Sequence, residues 1–466
     1  MGYMVDTEEV MPEPYELSAV QAARLINHRQ LSPVELLESL LGRIEALEPS
    51  LQAWVYLDRE AALSEARARE AGPKSGNSIG PLYGVPIGLK DIYYTAGIPT
   101  TACSRVYANF VPEYDAATVT LLKQAGAVIL GKTVTTEFAC MDPSPTINPW
   151  NPAHTPGGSS SGSAVAVAAH MCPAALGSQT VGSVLRPASY NGVVGFKPTF
   201  GRVSRYGVIP VSWNLDTMGW LVRTVEDGAL LLQVMAGPDS NDPAASRELV
   251  SDYFAGLESL QPPRIGLLRQ FFYDHADAET RQHTDAVVEQ LGSSGARVEE
   301  LALPDSINTA FADQQLIMAV EGASFHQPMF QTQAEDYQPK LREMIRRGLN
   351  TDAVTYSHAL ERRRQFITDM ELLSEKVDIL LTPSTPTPAL ADLSNTGNPL
   401  FQGPWTSCGL PAITMPSGLA ASGLPLGIQL AAAPFAEARL LAAARWCEQV
   451  LDVRLTPPVG NSRPGN

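Results

Sequence analysis

Lysine is scarce in this chain. Of 466 residues only seven are lysines, and 33 basic side chains face 49 acidic ones, for a formal net charge of −16. A standing nucleic-acid surface needs clustered Lys and Arg to neutralise phosphates, so this balance argues against one. It leaves room for a small anion held by one local arginine. Cysteine is sparse as well: five residues (Cys103, Cys140, Cys172, Cys408, Cys447), an odd number, scattered, with no C-x-x-C pair. That excludes a disulfide framework and zinc-site spacing, and it reads as a reduced, cytoplasmic protein. Long apolar runs are missing too, because Gly and Pro, 36 and 37 of them, break each stretch before it reaches bilayer length. No membrane span is expected. Met1 to Tyr15 is acidic and has neither a basic n-region nor an apolar h-region, so no secretory signal is expected. Asp6 stands where a myristoylation motif starting at Gly2 needs Ser or Thr.

What the chain does have is 44% hydrophobic residues, enough for a large core, and no low-complexity linker or repeat to divide it. Ser18 reads as a helix cap, and Ser32-Pro33-Val34-Glu35 as a capping box with Pro at the first helical position. Leu36, Leu37, Leu40, Leu41 and Ile44 then recur at helical spacing. From Pro81 the texture changes to short apolar runs punctuated by Gly and Pro. Strands are expected at Ala127–Leu130, Val193–Phe196, Gly207–Pro210, Ile265–Leu268, Val298–Leu303, Ile379–Leu381, Ala412–Met415 and Leu426–Leu430. Helices are expected at Thr118–Gln124, Ala164–Met171, Glu279–Leu291 and Phe435–Val450. Strands alternating with helices along the whole length imply one α/β layered domain with a large sheet. Within it, 1–75 is an N-terminal helical segment, 80–235 a candidate catalytic core, 240–375 a more variable, substrate-shaping region, and 376–466 the C-terminal part of the core.

Three motifs match patterns whose physics they do not meet. Gly126-Ala127-Val128-Ile129-Leu130-Gly131-Lys132-Thr133 has P-loop spelling. Its variable residues, however, suit a buried strand rather than a loop curled around phosphates. Gly158-Ser159-Ser160-Ser161-Gly162 has nucleophile-elbow spelling, but the preceding Asn151 to Pro156 is turn-rich and cannot be the required strand. Cys140 and Cys172, candidate thiol nucleophiles with Glu137 and Lys132 nearby in sequence, sit among apolar residues as core thiols do.

A fourth constellation holds together. Lys90 ends an uncharged, loop-like stretch, Val85-Pro86-Ile87-Gly88-Leu89. Burial disfavours an ammonium, and fully buried lysines titrate at about 5–6, so such an amine can accept a proton at neutral pH. The run Gly157-Gly158-Ser159-Ser160-Ser161-Gly162-Ser163 is followed by a packed Ala/Val stretch, unlike a flexible linker. A second cluster, Gly177-Ser178-Gln179-Thr180-Val181-Gly182-Ser183, has the small residues that let successive N–H groups face one point, as an oxyanion hole requires. A base, a relay, a nucleophile and an oxyanion hole suit acyl transfer through a covalent ester. Which serine attacks is left open by these residues alone.

Beyond this point the chain resembles the amidase signature family. The resemblance runs through Gly84–Asp91, Thr155–Ala164, Gly177–Ala188, Tyr190–Arg202, Leu215–Gly219, Gly409–Ile413 and Gly423–Gln429, nearly the whole length. It implies a large twisted mixed sheet covered by helices on both faces, and a hydrolase of amide, or related carbamate, C–N bonds. It further implies Ser183 as nucleophile, Ser159 after a cis peptide bond as proton relay, and Lys90 as base. The N–H groups of Thr180, Val181, Gly182 and Ser183 would form the oxyanion hole, with Ser160 and Ser161 in support. Val181 departs from the family's commonest pattern, which has Gly there, and narrows the backbone choices. Gln179 stands where Asp is common. Arg186 matches an arginine that grips a substrate carboxylate in some members, the bland alternative being a pair with a buried acid. Trp213, Asn214 and Trp405 are candidate pocket walls. No cofactor and no metal are expected. The expected partner is a small-molecule amide, with no nucleic acid and no membrane, and a homodimer stays open. Two other readings are an amidase subunit of a glutamine-dependent tRNA amidotransferase and a non-catalytic binding relative.

Overall fold

The computed structural model describes residues 13–72, 79–258 and 260–459. The stretch read for targeting signals lies outside them up to residue 12. Helix α1 (Ala19–Asn27) is capped by Ser18, whose hydroxyl accepts the Gln21 N–H while Gln21 accepts the Ser18 N–H. Ser32 and Glu35 close the same box on α2 (Pro33–Leu51), which buries Leu36, Leu37, Leu40, Leu41 and Ile44. Strand β1 (Trp54–Leu57) and helix α3 (Arg59–Glu70) follow, then β2 (Pro86–Lys90), α4 (Ala117–Gln124) and β3 (Val128–Thr133).

The Lys90 stretch, expected as a loop, is strand β2, with all five residues buried. Its Pro is the first residue of the strand, where the missing donor does least harm. Gly88 is required by close packing: a Cβ there would meet Trp54, Thr133 and Ala175 at 3.1, 3.2 and 3.3 Å. Strand β3 contains the P-loop spelling. Lys132 is buried, donates to Thr100 Oγ1 at 2.7 Å and lies 3.7 Å from the Asp91 carboxylate, so it faces the interior and no phosphate cradle forms.

Next come α5 (Ser161–Ala168), β4 (Ala174–Gln179), α6 (Leu185–Asn191), β5 (Val194–Lys197), β6 (Thr217–Val222) and α7 (Val225–Met235). Helix α5 starts three residues before the expected Ala164 and takes in the end of the Gly/Ser run. Gly162 fits there because a Cβ would stand 2.3 Å from the Ala53 carbonyl oxygen. Strands β1, β4 and β6 carried no clear period in the sequence, whereas the expected strand at Gly207–Pro210 is only an isolated bridge between Val208 and Tyr93. The rest is β7 (Arg264–Leu267), α8 (Phe272–His275), α9 (Ala278–Ser293), β8 (Arg297–Glu300), α10 (Ile307–Gln333), α11 (Pro339–Leu349), α12 (Ala353–Ser374), β9 (Ile379–Pro383), α13 (Gly403–Ser407), β10 (Ala412–Leu419), β11 (Pro425–Ala431) and α14 (Glu437–Leu451).

Among the described residues, eleven strands form one mixed sheet in the order β1-β3-β2-β4-β6-β5-β10-β11-β9-β7-β8. Pairs β2·β3, β2·β4, β7·β8 and β7·β9 are parallel and the others antiparallel. Strand alternation divides the core. Ile129, Leu176, Trp220, Ile413, Ile428, Leu381 and Ile265 join one continuous cluster with residues of α1, α4, α7 and α14. The intervening Val128, Leu130, Ala175 and Leu221 pack with α2, α3 and α5. At the other end Ala412, Ala431 and Leu380 pack with α8, α12 and α13. Both faces are therefore helix-covered, and α6 lies between the second and third clusters, giving Ala188 to one and Leu185 to the other. Among the described residues no helix is long and apolar enough to cross a membrane.

Candidate active site

Lys90 ends β2 beside the end of β4, where Leu89 pairs with Leu176. The lysine is fully buried, and its Nζ lies 2.7 Å from Ser159 Oγ, 2.9 Å from Ser178 Oγ and 3.4 Å from the Ser178 carbonyl. No carboxylate lies within ion-pair distance of it among the described residues. Burial lowers its pKa from 10.5 to about 7, against a weaker upward pull from Asp216. The amine is thus substantially neutral at physiological pH. Ser178 belongs to the second serine cluster, where its sequence context gives it no part. Only the β2·β4 pairing brings it to the lysine.

The peptide bond between Gly158 and Ser159 is cis. The Ser159 carbonyl accepts Thr136 N–H at 3.2 Å and Thr135 Oγ1–H at 3.1 Å, which fixes the loop from β3's end. Ser160 N–H donates to the Ser183 carbonyl at 3.3 Å, so the two serine clusters are joined through their backbones. Ser160 Oγ is 3.4 Å from the Ser178 carbonyl, and Ser161 Oγ pairs with Ser144 Oγ at 2.6 Å. Ser183 itself is partly exposed, while Ser159 and Ser160 are buried.

Between β4 and α6, residues Thr180 to Ser183 form a loop whose carbonyls are all engaged. Thr180 C=O accepts Gln314 Nε2–H (3.1 Å), Val181 C=O accepts Thr406 Oγ1–H (2.8 Å), and Gly182 C=O accepts Arg186 N–H (3.0 Å). In a trans peptide the C=O of one residue and the N–H of the next point in opposite directions. Each of these bonds therefore turns the N–H of the following residue (Val181, Gly182 and Ser183) away from the partner of its own peptide carbonyl, and none of the three donates to another described residue. The Thr180 hydroxyl donates to Asp216 Oδ1 at 2.6 Å, and Asp216 Oδ2 accepts Val211 and Ser212 N–H at 2.7 and 3.0 Å.

Several sequence-derived contacts are relocated. Gln179 is buried and faces the protein: Oε1 accepts Val184 and Leu185 N–H at 2.9 and 3.0 Å, capping α6, and Nε2 donates to Thr406 at 2.9 Å. Trp405 is a core residue stacked on Phe272, because the helix carrying it faces the third cluster. Trp213 is 46% exposed and does line a small cavity of about 180 Å³ with Asp216 and Met218. Asn214 bonds Glu321. Val181 is buried and packs toward Gly403, where a Cβ would be 3.6 Å from its Cγ1.

Arg186 has no acid partner among the described residues. It donates to the Gly158 carbonyl at 2.7 Å and to Thr396 Oγ1 at 3.0 Å, and its buried Nε has no acceptor. The rejected thiols are protonated core groups, with burial pushing Cys172 up to about 12 and Cys140 up as well. Of the histidines downstream of the Gly/Ser run, His275, His283 and His326 bond Phe271, Ser417 and Tyr337, and His358 is exposed.

A buried lysine on a serine hydroxyl thus lies near a loop whose Val181, Gly182 and Ser183 N–H groups donate to no other described residue. The family model Amidase matches residues 35–441. A glutamyl-tRNA(Gln) amidotransferase subunit of Carboxydothermus hydrogenoformans is 38% identical, over 94% of this chain and 98% of its own length. The putative amidase AmiD of Mycobacterium bovis is also 38% identical, over 98% and 100%. The solved peptide amidase of Stenotrophomonas maltophilia superposes with a TM-score of 0.85 at 30% identity, over 96% of this chain and 99% of that one. The chain belongs to the amidase signature family and is an amidase, an enzyme that hydrolyses amide carbon–nitrogen bonds.

Proposed function

We propose that this amidase works through a serine acyl-enzyme, with Ser183 as nucleophile, Ser159 as proton relay and Lys90 as base. The observation that carries the reading is the buried Lys90 Nζ on Ser159 Oγ at 2.7 Å, with no carboxylate among the described residues within ion-pair distance to hold it as an ammonium. Neutral Lys90 directs its N–H groups at the Ser178 hydroxyl and carbonyl, leaving its lone pair for the Ser159 proton. As Ser159 gives up that proton it takes one from Ser183, whose oxygen attacks the amide carbonyl. The negative charge on the carbonyl oxygen is met by the N–H groups of the 180–183 loop; removing one such donor typically costs about 10²–10³ in rate. Collapse of the tetrahedral intermediate returns the proton through Ser159 to the leaving nitrogen. Water then attacks the ester along the same route, releasing a carboxylic acid after ammonia or an amine.

The substrate class proposed is a small amide that also carries a carboxylate, bound by Arg186. The buried guanidinium supports this, because its Nε has no acceptor and no acid pairs with it among the described residues, and an oxygen of a substrate carboxylate would supply that acceptor. Arg186→Leu is expected to raise KM for succinamate by about 10–100-fold, the weight of a charge-assisted hydrogen bond, while KM for butyramide stays within about threefold of native. Equal changes for both amides would make Arg186 purely structural.

A second reading, an ammonia-supplying component of a larger enzyme, rests on the similarity to the glutamyl-tRNA(Gln) amidotransferase protein. The experiment that separates the two measures ammonia release by the purified chain from succinamate, butyramide and glutamine. Turnover of the first two without a partner protein supports the amidase reading. Release from glutamine alone favours the ammonia-supplying role, and release from none would sink the catalytic assignment.

A further inference from the structure

Helix α10 lies outside the serine clusters, in the stretch expected to shape substrate, yet it reaches the 180–183 loop directly through Gln314 and indirectly through Glu321. Gln314 and Glu321 are seven residues apart, two turns, and so share one face of the helix. Gln314 is fully buried and its Nε2 donates to the Thr180 carbonyl at 3.1 Å. The amide orientation follows from the partner: a backbone carbonyl can only accept, so Nε2 must face it. Oε1 is turned the other way, against Gly403, where a Cβ would stand 2.8 Å from it. The side chain is therefore wedged between α13 and the loop and aims its donor one way only.

Glu321 acts on the same loop indirectly, through the 211–216 turn. Its carboxylate accepts the Ser212 hydroxyl, the Asn214 N–H (3.1 Å) and side-chain amide, and the Tyr356 hydroxyl (2.6 Å). That holds the 211–216 turn, whose Val211 and Ser212 N–H groups hold Asp216, which in turn accepts the Thr180 hydroxyl. Thr180 is thus gripped at its carbonyl by Gln314 and at its side chain by the chain of contacts from Glu321.

We propose that Gln314 is a positioning residue for the oxyanion hole: by holding the Thr180 carbonyl it aims the Val181 N–H at the developing oxyanion. The peptide plane makes the link rigid, since Thr180 C=O and Val181 N–H belong to one planar unit. The proposal rests on the acyl-enzyme reading above, because only there does the Val181 N–H have an oxyanion to meet. Without the Gln314 donor the plane can rotate and the Val181 N–H leaves the position where charge develops. Ground-state substrate makes little use of that N–H, so the loss falls on the transition state.

The test compares native protein, Gln314→Met, which keeps the side chain's length without its donor, and Glu321→Gln, with succinamate and butyramide as substrates. Gln314→Met is expected to lower kcat by about 10–100-fold, short of the full loss of a donor, with KM within about twofold for both amides and melting temperature nearly unchanged. Glu321→Gln is expected to lower kcat in the same pattern but less. Native kcat retained in Gln314→Met, or a rise in KM with kcat unchanged, would overturn the proposal and make Gln314 a packing or substrate-binding residue. If Gln314→Met does not fold, a KM-only effect in Glu321→Gln overturns the proposal in the same way, and a kcat-only effect supports it. Native protein inactive toward both amides and toward glutamine would instead overturn the acyl-enzyme reading, so the two failures are distinguishable.

Discussion

Lys90→Met is expected to lower kcat by roughly 10²–10⁴-fold, the usual weight of a general base, in a protein that still folds. Methionine nearly fills the lysine's volume and lacks the amine whose burial is unfavourable as an ammonium. The native pH profile checks the same assignment. With the Lys90 pKa lowered to about 7 by burial, the neutral amine is the minority form below that pH. The kcat/KM of the native enzyme should then rise about tenfold per pH unit in acid and level off above neutrality. The stability sign follows by linkage. Lys90 binds its proton more weakly folded than unfolded, so between about 7 and 10.5 the unfolded chain holds more protons and stability rises with pH. Lys90→Met removes that dependence, so its stability relative to native is greatest on the acid side of the window. Retained turnover in the variant would end the base assignment, whatever its melting curve.

Ser183→Ala is expected to lose about 10⁶-fold in kcat, the scale seen when a serine nucleophile is removed. It should also lose all covalent labelling by phenylmethanesulfonyl fluoride. In native protein, peptide mass spectrometry should place the adduct on Ser183, the partly exposed serine whose own N–H donates to no other described residue. Ser159, buried and bonded to Lys90, should stay unlabelled. An adduct on Ser160 would revive the elbow reading, which the turn-rich segment before the Gly/Ser run and the engaged histidines oppose.

The elements most legible in the sequence were those with their own local physics. Ser18 and Ser32 capped helices because a hydroxyl three residues before a free N–H needs no distant partner. Val128 to Leu130 formed a strand because that much branched apolar surface has to be buried, despite the P-loop spelling around it. Strands β2 and β4 were obscure for a related reason. Their Pro, Gly, Ala and Ser residues carry no hydrophobic period, and they are strands because neighbouring strands pair with them and leave no room for larger side chains.

At the site, the sequence by itself determined the chemical inventory: one lysine in an uncharged stretch, two serine clusters 24 residues apart from Ser159 to Ser183, and small residues able to present N–H groups. Each of these is a property of residue type and short spacing. Tertiary structure alone decided that Lys90 meets Ser159 and Ser178, that Gln179 faces inward to cap α6, and that Arg186 meets the Gly158 carbonyl and Thr396 rather than an acid among the described residues. It also decided that the carbonyls of Thr180 and Val181 are held by Gln314 and Thr406, which lie 134 and 225 residues away in the chain. The direction in which a peptide N–H points depends on what holds the carbonyl of the same plane, and that partner is chosen by the fold rather than by sequence neighbours.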